Sequence, residues 1–158
     1  MEDESALNGI GDSSNRRSLA WRVFFDASTR LQGILEVKLK RDAGLTLSDY
    51  NILLTLFEAP ETSMRMGELA DRVTFSPSRL TYLVSRLVKD GLVDKIQSGE
   101  DGRGFIATLT PRGIKKTEEA TAIHQETVRR LLLDDLTDSE IDRIVDAFER
   151  VDEHYRNQ

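Results

Sequence analysis

The chain has 158 residues, 39% hydrophobic and 32% charged, with no cysteine and a formal net charge of −6. Those values suit one helix-rich globular domain of ordinary composition, and the lack of cysteine excludes disulfides, thiolate metal sites and cysteine-based redox sensing. The acidic, polar opening MEDESALNGIGDSSNRR is unlike a secretory or transit leader, and no apolar run nears the roughly 18 residues of a membrane span, so a cytoplasmic protein with no membrane partner is expected.

The acid excess is uneven. Residues 134–158 hold nine acids against Arg143, Arg150 and Arg156, whereas residues 62–95 hold six cations against four acids. A polyanion responds to local charge, so the mildly basic middle of the chain is compatible with nucleic acid despite the total.

Residues 1–16 lack apolar periodicity and read as a flexible tail; residues 17–158 read as a single domain. A first helix is predicted over about 18–41, where Ala20, Val23, Phe24, Ala27, Leu31, Ile34 and Leu35 recur at three- and four-residue steps. Ser48 is the expected cap of a second helix carrying Ile52, Leu53, Leu56 and Phe57, which stops near Pro60. Met66, Leu69, Ala70 and Val73 outline a short third helix. Ser76-Pro77 caps and opens a fourth, closed by Gly91. Residues 92–96 and 105–109 are β-prone, and the glycine-rich stretch between them reads as a hairpin loop. Thr110-Pro111 opens a fifth helix over about 111–133, and Thr137 with Glu140 forms a capping box for a sixth over about 138–156. The expected fold is mainly α with a small β-hairpin wing: a winged helix-turn-helix over about 48–110, flanked by N- and C-terminal helices.

The fourth helix divides into two faces. At about 100° per residue, Leu80, Leu83, Val84, Leu87 and Val88 share one sector and are expected in the core. Ser78, Tyr82, Ser85, Arg86 and Lys89 fall opposite, with Arg79 at the edge and no acid before Asp90. Such groups can reach base edges and phosphates in a major groove, whereas an ordinary solvated face would usually intersperse Glu. Arg103, between glycines in the loop, is free to extend into a narrow minor groove, and Asp101 can pair with it or with a backbone amide.

LADRV, then SPSRLTYLVSRLVKDGLV, then DGRG with FIATLTPRG resembles the MarR family of bacterial transcription regulators. The resemblance covers about residues 18–156 and is most specific from Leu69 to Gly113. It implies an obligate homodimer, with dimerisation helices at about 18–41, 111–133 and 138–156. The fourth helix would enter the major groove of an inverted-repeat operator, with Asp101 and Arg103 at the wing tip. The expected DNA-contacting set is therefore Ser76, Ser78, Arg79, Thr81, Tyr82, Ser85, Arg86, Lys89, Asp101 and Arg103, in a nucleoid-associated regulator, commonly a repressor. Gly67 departs from the Ser or Thr cap of many relatives at the start of the third helix. The resemblance also implies release by a small aromatic effector bound near the first two helices, where Trp21, Arg22, Phe25, Arg30 and Tyr50 are the candidates.

Catalysis has little support. His124 and His154 are the two histidines; His124 lies near an apolar stripe, as a core or interface residue would. The carboxylates of the last helix are spread around it, and no nucleophile elbow, metal-binding His pair or phosphate loop is present. No enzyme activity, cofactor or metal site is expected. The alternative to a DNA reader is a winged-helix module that binds protein partners; such modules tend to lose the cationic face retained here.

Overall fold

The structure, a computed structural model, describes residues 15–98 and 104–156. Helix α1 spans Arg16–Ala43, opened by Asn15, whose side chain accepts the Arg17 N–H at 3.0 Å. It ends at Gly44, whose φ of 70° is the left-handed conformation that releases a chain from a helix. Its two halves differ: Leu35, Leu39 and Ala43 are buried against α2 and α5, while Leu19, Trp21, Val23, Phe24 and Phe25 are exposed.

Helix α2 (Leu47–Phe57) is the centre of the core; Ile52, Leu53 and Leu56 are fully buried, each contributing roughly 1.5–3 kcal/mol by removal from water. Its cap is Thr46, not Ser48. Thr46 Oγ1 accepts the Asp49 N–H and the Asp49 carboxylate accepts the Thr46 N–H, so both orphan donors are satisfied reciprocally.

Strand β1 (Ser63–Arg65) follows, an element absent from the expected order. It pairs antiparallel with β3 (Phe105–Leu109), placing Met64 opposite Ala107, while β2 (Val93–Gln97) pairs with the other edge of β3. The expected hairpin is therefore a three-stranded sheet of order β1-β3-β2.

Helix α3 (Met66–Val73) starts at Arg65 without a side-chain cap, and Gly67 lies inside the helix, not at its cap position. Thr74 takes a left-handed φ of 56° and turns the chain into α4 (Pro77–Lys89), capped by Ser76. Leu80, Leu83, Val84 and Leu87 of α4 are buried as expected; Val88, at 38% exposure, is not. It sits about 90° from the centre of the buried sector, at its edge.

Gly91 (φ 71°) turns the chain into β2. Thr110 then fastens the wing to α5 (Pro111–Leu131): its hydroxyl donates to Gly91 O at 2.8 Å and accepts the Gly113 N–H at 2.9 Å. A Cβ at Gly113 would lie 2.0 Å from Leu92 O, so only glycine permits this approach of helix to strand. Helix α6 (Asp138–Arg156) starts with the Glu140 carboxylate accepting both the N–H and the hydroxyl of Thr137. Half of the expected box forms, because the hydroxyl donates to Glu140 instead of accepting from the backbone. None of the described side chains of α6 is buried.

Candidate nucleic-acid interface

Helices α3 and α4 with the β-sheet form a winged helix-turn-helix, in which α4 presents an exposed face. Pro77 at the first position and Ser76 before it fix where α4 begins; Ser76 Oγ accepts the Arg79 N–H at 3.4 Å. The buried sector then orients the other side. Ser78, Thr81, Tyr82, Ser85 and Lys89 are all exposed, Tyr82 at 68%. The Ser85 hydroxyl donates to Thr81 O at 2.8 Å, which leaves its oxygen free to accept.

The two arginines of α4 are placed differently. Arg79 lies with its guanidinium 4.2 Å from the centre of the Phe75 ring and donates to Ser48 Oγ at 3.0 Å. Arg86 is half-buried and ion-paired with Asp49, whose side chain is almost wholly inaccessible. The hydrogen bond to Asp49 is the main cause that raises the Arg86 guanidinium further above its ordinary range. The expected outward face thus contains one arginine turned toward α2 and another held there by a buried carboxylate. Neither Ser48 nor Asp49 was expected at this site: they lie more than 30 residues upstream, and nothing local in the sequence marks the pairing. Asp101 and Arg103, expected at the wing tip, lie outside the described residues.

The effector candidates fall in two places. Trp21 (63% exposed) and Phe25 pack together with ring centres 5.7 Å apart, and Arg22 and Arg30 are exposed on the same helix. Tyr50 instead is 2% exposed, stacked on His124 of α5 at 4.9 Å, with its hydroxyl 3.4 Å from Thr121 Oγ1. Tyr50 is a core residue in this structure, and the position of His124 agrees with the sequence expectation. Burial lowers the His124 pKa, disfavouring its charged form. An open groove of about 580 Å³ runs along α5, lined by Ala122, His124, Gln125, Glu126, Val128, Arg129 and Leu133; none of the five effector candidates lines it. Among the described residues there is no cluster of three His, Cys, Asp or Glu side chains that could hold a metal ion, and no helix is long and apolar enough to cross a membrane.

The fold and the reading helix define a winged-helix transcription regulator. The family model for the MarR family matches residues 43–104. The crystal structure of AbsC, a MarR family transcriptional regulator from Streptomyces coelicolor, is 33% identical with a TM-score of 0.83, over 89% of this chain and 94% of that one. Sco3205, a MarR family regulator from the same organism solved in complex with DNA, is 34% identical with a TM-score of 0.82, over 86% of this chain and 85% of that one. The HTH-type transcriptional repressor YetL of Bacillus subtilis (strain 168) is 28% identical over 131 residues, which are 80% of this chain and 77% of the repressor. The chain belongs to the MarR family.

Proposed function

We propose that the protein is a sequence-specific, double-stranded DNA-binding repressor that acts as a homodimer on an inverted-repeat operator. The observation that carries this reading is the outward face of α4, where Ser78, Thr81, Tyr82, Ser85 and Lys89 are exposed together and the first acid is Asp90. Hydroxyls and a phenol can donate to or accept from base edges, and the ammonium neutralises a phosphate. Ser76 at the helix start adds a hydroxyl beside the positive end of the helix dipole, where a phosphate is favoured. The likeness to Sco3205, solved on DNA, and to the repressor YetL supports the same reading. The family resemblance adds Asp101 and Arg103 as proposed contacts.

The homodimer rests on the apolar side chains that one chain leaves exposed on α1 and α6: Leu19, Trp21, Phe24, Phe25, Val145, Phe148 and Val151. Phe24 and Phe148 already join the two helices, with ring centres 5.1 Å apart. A second copy buries such a face isologously, and two reading helices then meet half-sites about one turn, roughly 10 bp, apart. Release by a small aromatic effector belongs to this reading, with Trp21, Arg22, Phe25 and Arg30 as the candidate contacts; the exposed Trp21–Phe25 pair offers aromatic surface for such a ligand.

Selection of binders from random duplex DNA, followed by fluorescence anisotropy, tests the function. The expected result is an enriched inverted repeat bound by two chains. Enrichment of no sequence would overturn it in favour of a protein-interaction module.

A further inference from the structure

The amino end of α2 is where three helices are joined by hydrogen bonds. Within α2, Asp49 N–H donates to Thr46 Oγ1 at 3.1 Å and Thr46 N–H donates to Asp49 Oδ2 at 2.9 Å. From α1, Glu36 accepts the Leu47 N–H at 2.6 Å. From α4, Arg79 donates to Ser48 Oγ at 3.0 Å and Arg86 donates to Asp49 Oδ1. Arg79 and Arg86 are two turns apart, so they grip α4 at points roughly 10 Å from each other.

Asp49 is 5% exposed, and a carboxylate so deep persists only with its charge compensated and its lone pairs occupied. The Thr46 N–H occupies one oxygen and Arg86 the other. Withdrawing Arg86 to reach a phosphate would strand a buried anion. Its direction agrees: at about 100° per residue, Arg86 and Arg79 lie some 70–90° from the centre of the face formed by Ser78, Tyr82, Ser85 and Lys89.

We propose that Arg86 is a positioning residue that clamps the reading helix to the amino end of α2, making residues 46–49 the joint through which α1 sets the angle at which α4 is presented. The inference rests on the DNA-reading role of α4. It assigns sequence reading to Ser78, Tyr82 and Ser85, with Lys89 on a phosphate, and it removes Arg86 from the contacts expected from the sequence. Asp49 and Glu36, both acids, become necessary to the binding of a polyanion without touching it.

The test uses Asp49→Asn, which keeps an acceptor for the Thr46 cap, together with Arg86→Gln, the double variant and Arg86→Lys. Each is titrated by anisotropy across a salt series against the operator selected by the parent and against an unrelated duplex. Either single change should weaken operator binding about tenfold, as coupled neighbours do, and the double should be no worse than either. Binding to the unrelated duplex and the salt slope should match the parent, and Arg86→Lys should recover part of the loss. The proposal is overturned if Arg86→Gln shallows the slope by about 0.9, one phosphate's worth, while Asp49→Asn binds as tightly as the parent or more so. Tighter binding is the sign expected from merely deleting an acid near phosphates. Amide exchange along α4 in the DNA-free protein probes the clamp without an operator: faster exchange in both single variants and no faster in the double supports it, and unchanged exchange overturns it. The exchange measurement decides even if the parent selects no operator, an outcome that would instead overturn the DNA-reading role. If Asp49→Asn fails to fold by circular dichroism, Arg86→Gln against Arg86→Lys decides through the slope.

Discussion

Gly113→Ala separates helix propensity from packing, because the two predict opposite signs. Gly113 lies inside the first turn of α5, where alanine would ordinarily stabilise a helix by about 1 kcal/mol. The new Cβ would stand 2.0 Å from Leu92 O, 3.0 Å from Leu92 C and 3.3 Å from Leu109 Cδ2. The oxygen is backbone and cannot rotate away, so α5 and the base of the wing must separate by more than 1 Å, given ordinary contact at 3.4–4 Å. That movement also strains the Thr110 N–H to Leu92 O bond, now 3.1 Å. Overpacking costs typically about 1–3 kcal/mol and a strained or lost hydrogen bond about 1 kcal/mol more. Less the propensity gain, the expected net destabilisation is about 1–3 kcal/mol. For a chain of this size that lowers Tm by roughly 2–12 °C, read by calorimetry at matched protein concentration. A variant as stable as the parent, or more stable, would refute the reasoning and show that the junction yields freely.

Phe148→Glu should reduce the sedimenting mass from near twice 17.9 kDa to 17.9 kDa, because it places a charge in the face shared by α1 and α6; an unchanged dimer would refute that interface. Lys89→Ala should weaken binding to every duplex alike and flatten the salt slope by about one phosphate, measured by anisotropy. Arg103→Ala should leave the melting curve unchanged yet weaken operators with A·T-rich flanks most; equal loss on all flanks would argue against minor-groove insertion. His124 is held neutral by burial, with its folded pKa below the usual 6.5. As pH falls, the unfolded chain therefore takes up the proton first: stability is full above about 6.5 and declines from there toward the lower folded value. Urea midpoints at pH 7.5 and 5.5 should consequently differ more for the parent than for His124→Gln.

Local chemistry was readable where its partners lie three or four residues apart. Ser76-Pro77 and Thr110-Pro111 start helices as expected because a cap and a proline act within one turn. The buried sector of α4 was legible at its centre and failed at its edge, Val88. The cap of α2 was misplaced between two nearby hydroxyls. The deciding signal was Asp49, three residues beyond Thr46, doing what Glu or Gln usually does in a capping box. Strand β1 has three residues and no period to detect; it exists because β3, more than 40 residues later, offers an edge. Long separation in sequence likewise hid the pairing of Asp49 with Arg86 and the stacking of Tyr50 on His124. A cation on a helix face looks solvent-directed until the fold brings an acid beside it.

The uneven burial of α1 and the wholly unburied α6 bear on how the chain responds to dilution. Helix α6 fully buries none of its described side chains and touches α1 through Phe148, so little packing within its own chain adds to local propensity, and most helical stability in proteins comes from packing. The winged helix shares one buried core with Leu39 and Ala43 of α1 and Ala120 of α5, so it is expected to outlast the exposed ends of α1 and α6. On the proposed dimer, the first turns of α1 and much of α6 should lose helix as the second copy departs, with far-UV ellipticity falling on dilution before the core unfolds. In that reading the concentration needed to occupy an operator would be set partly by the helix–coil balance of α1 and α6, outside the reading helix.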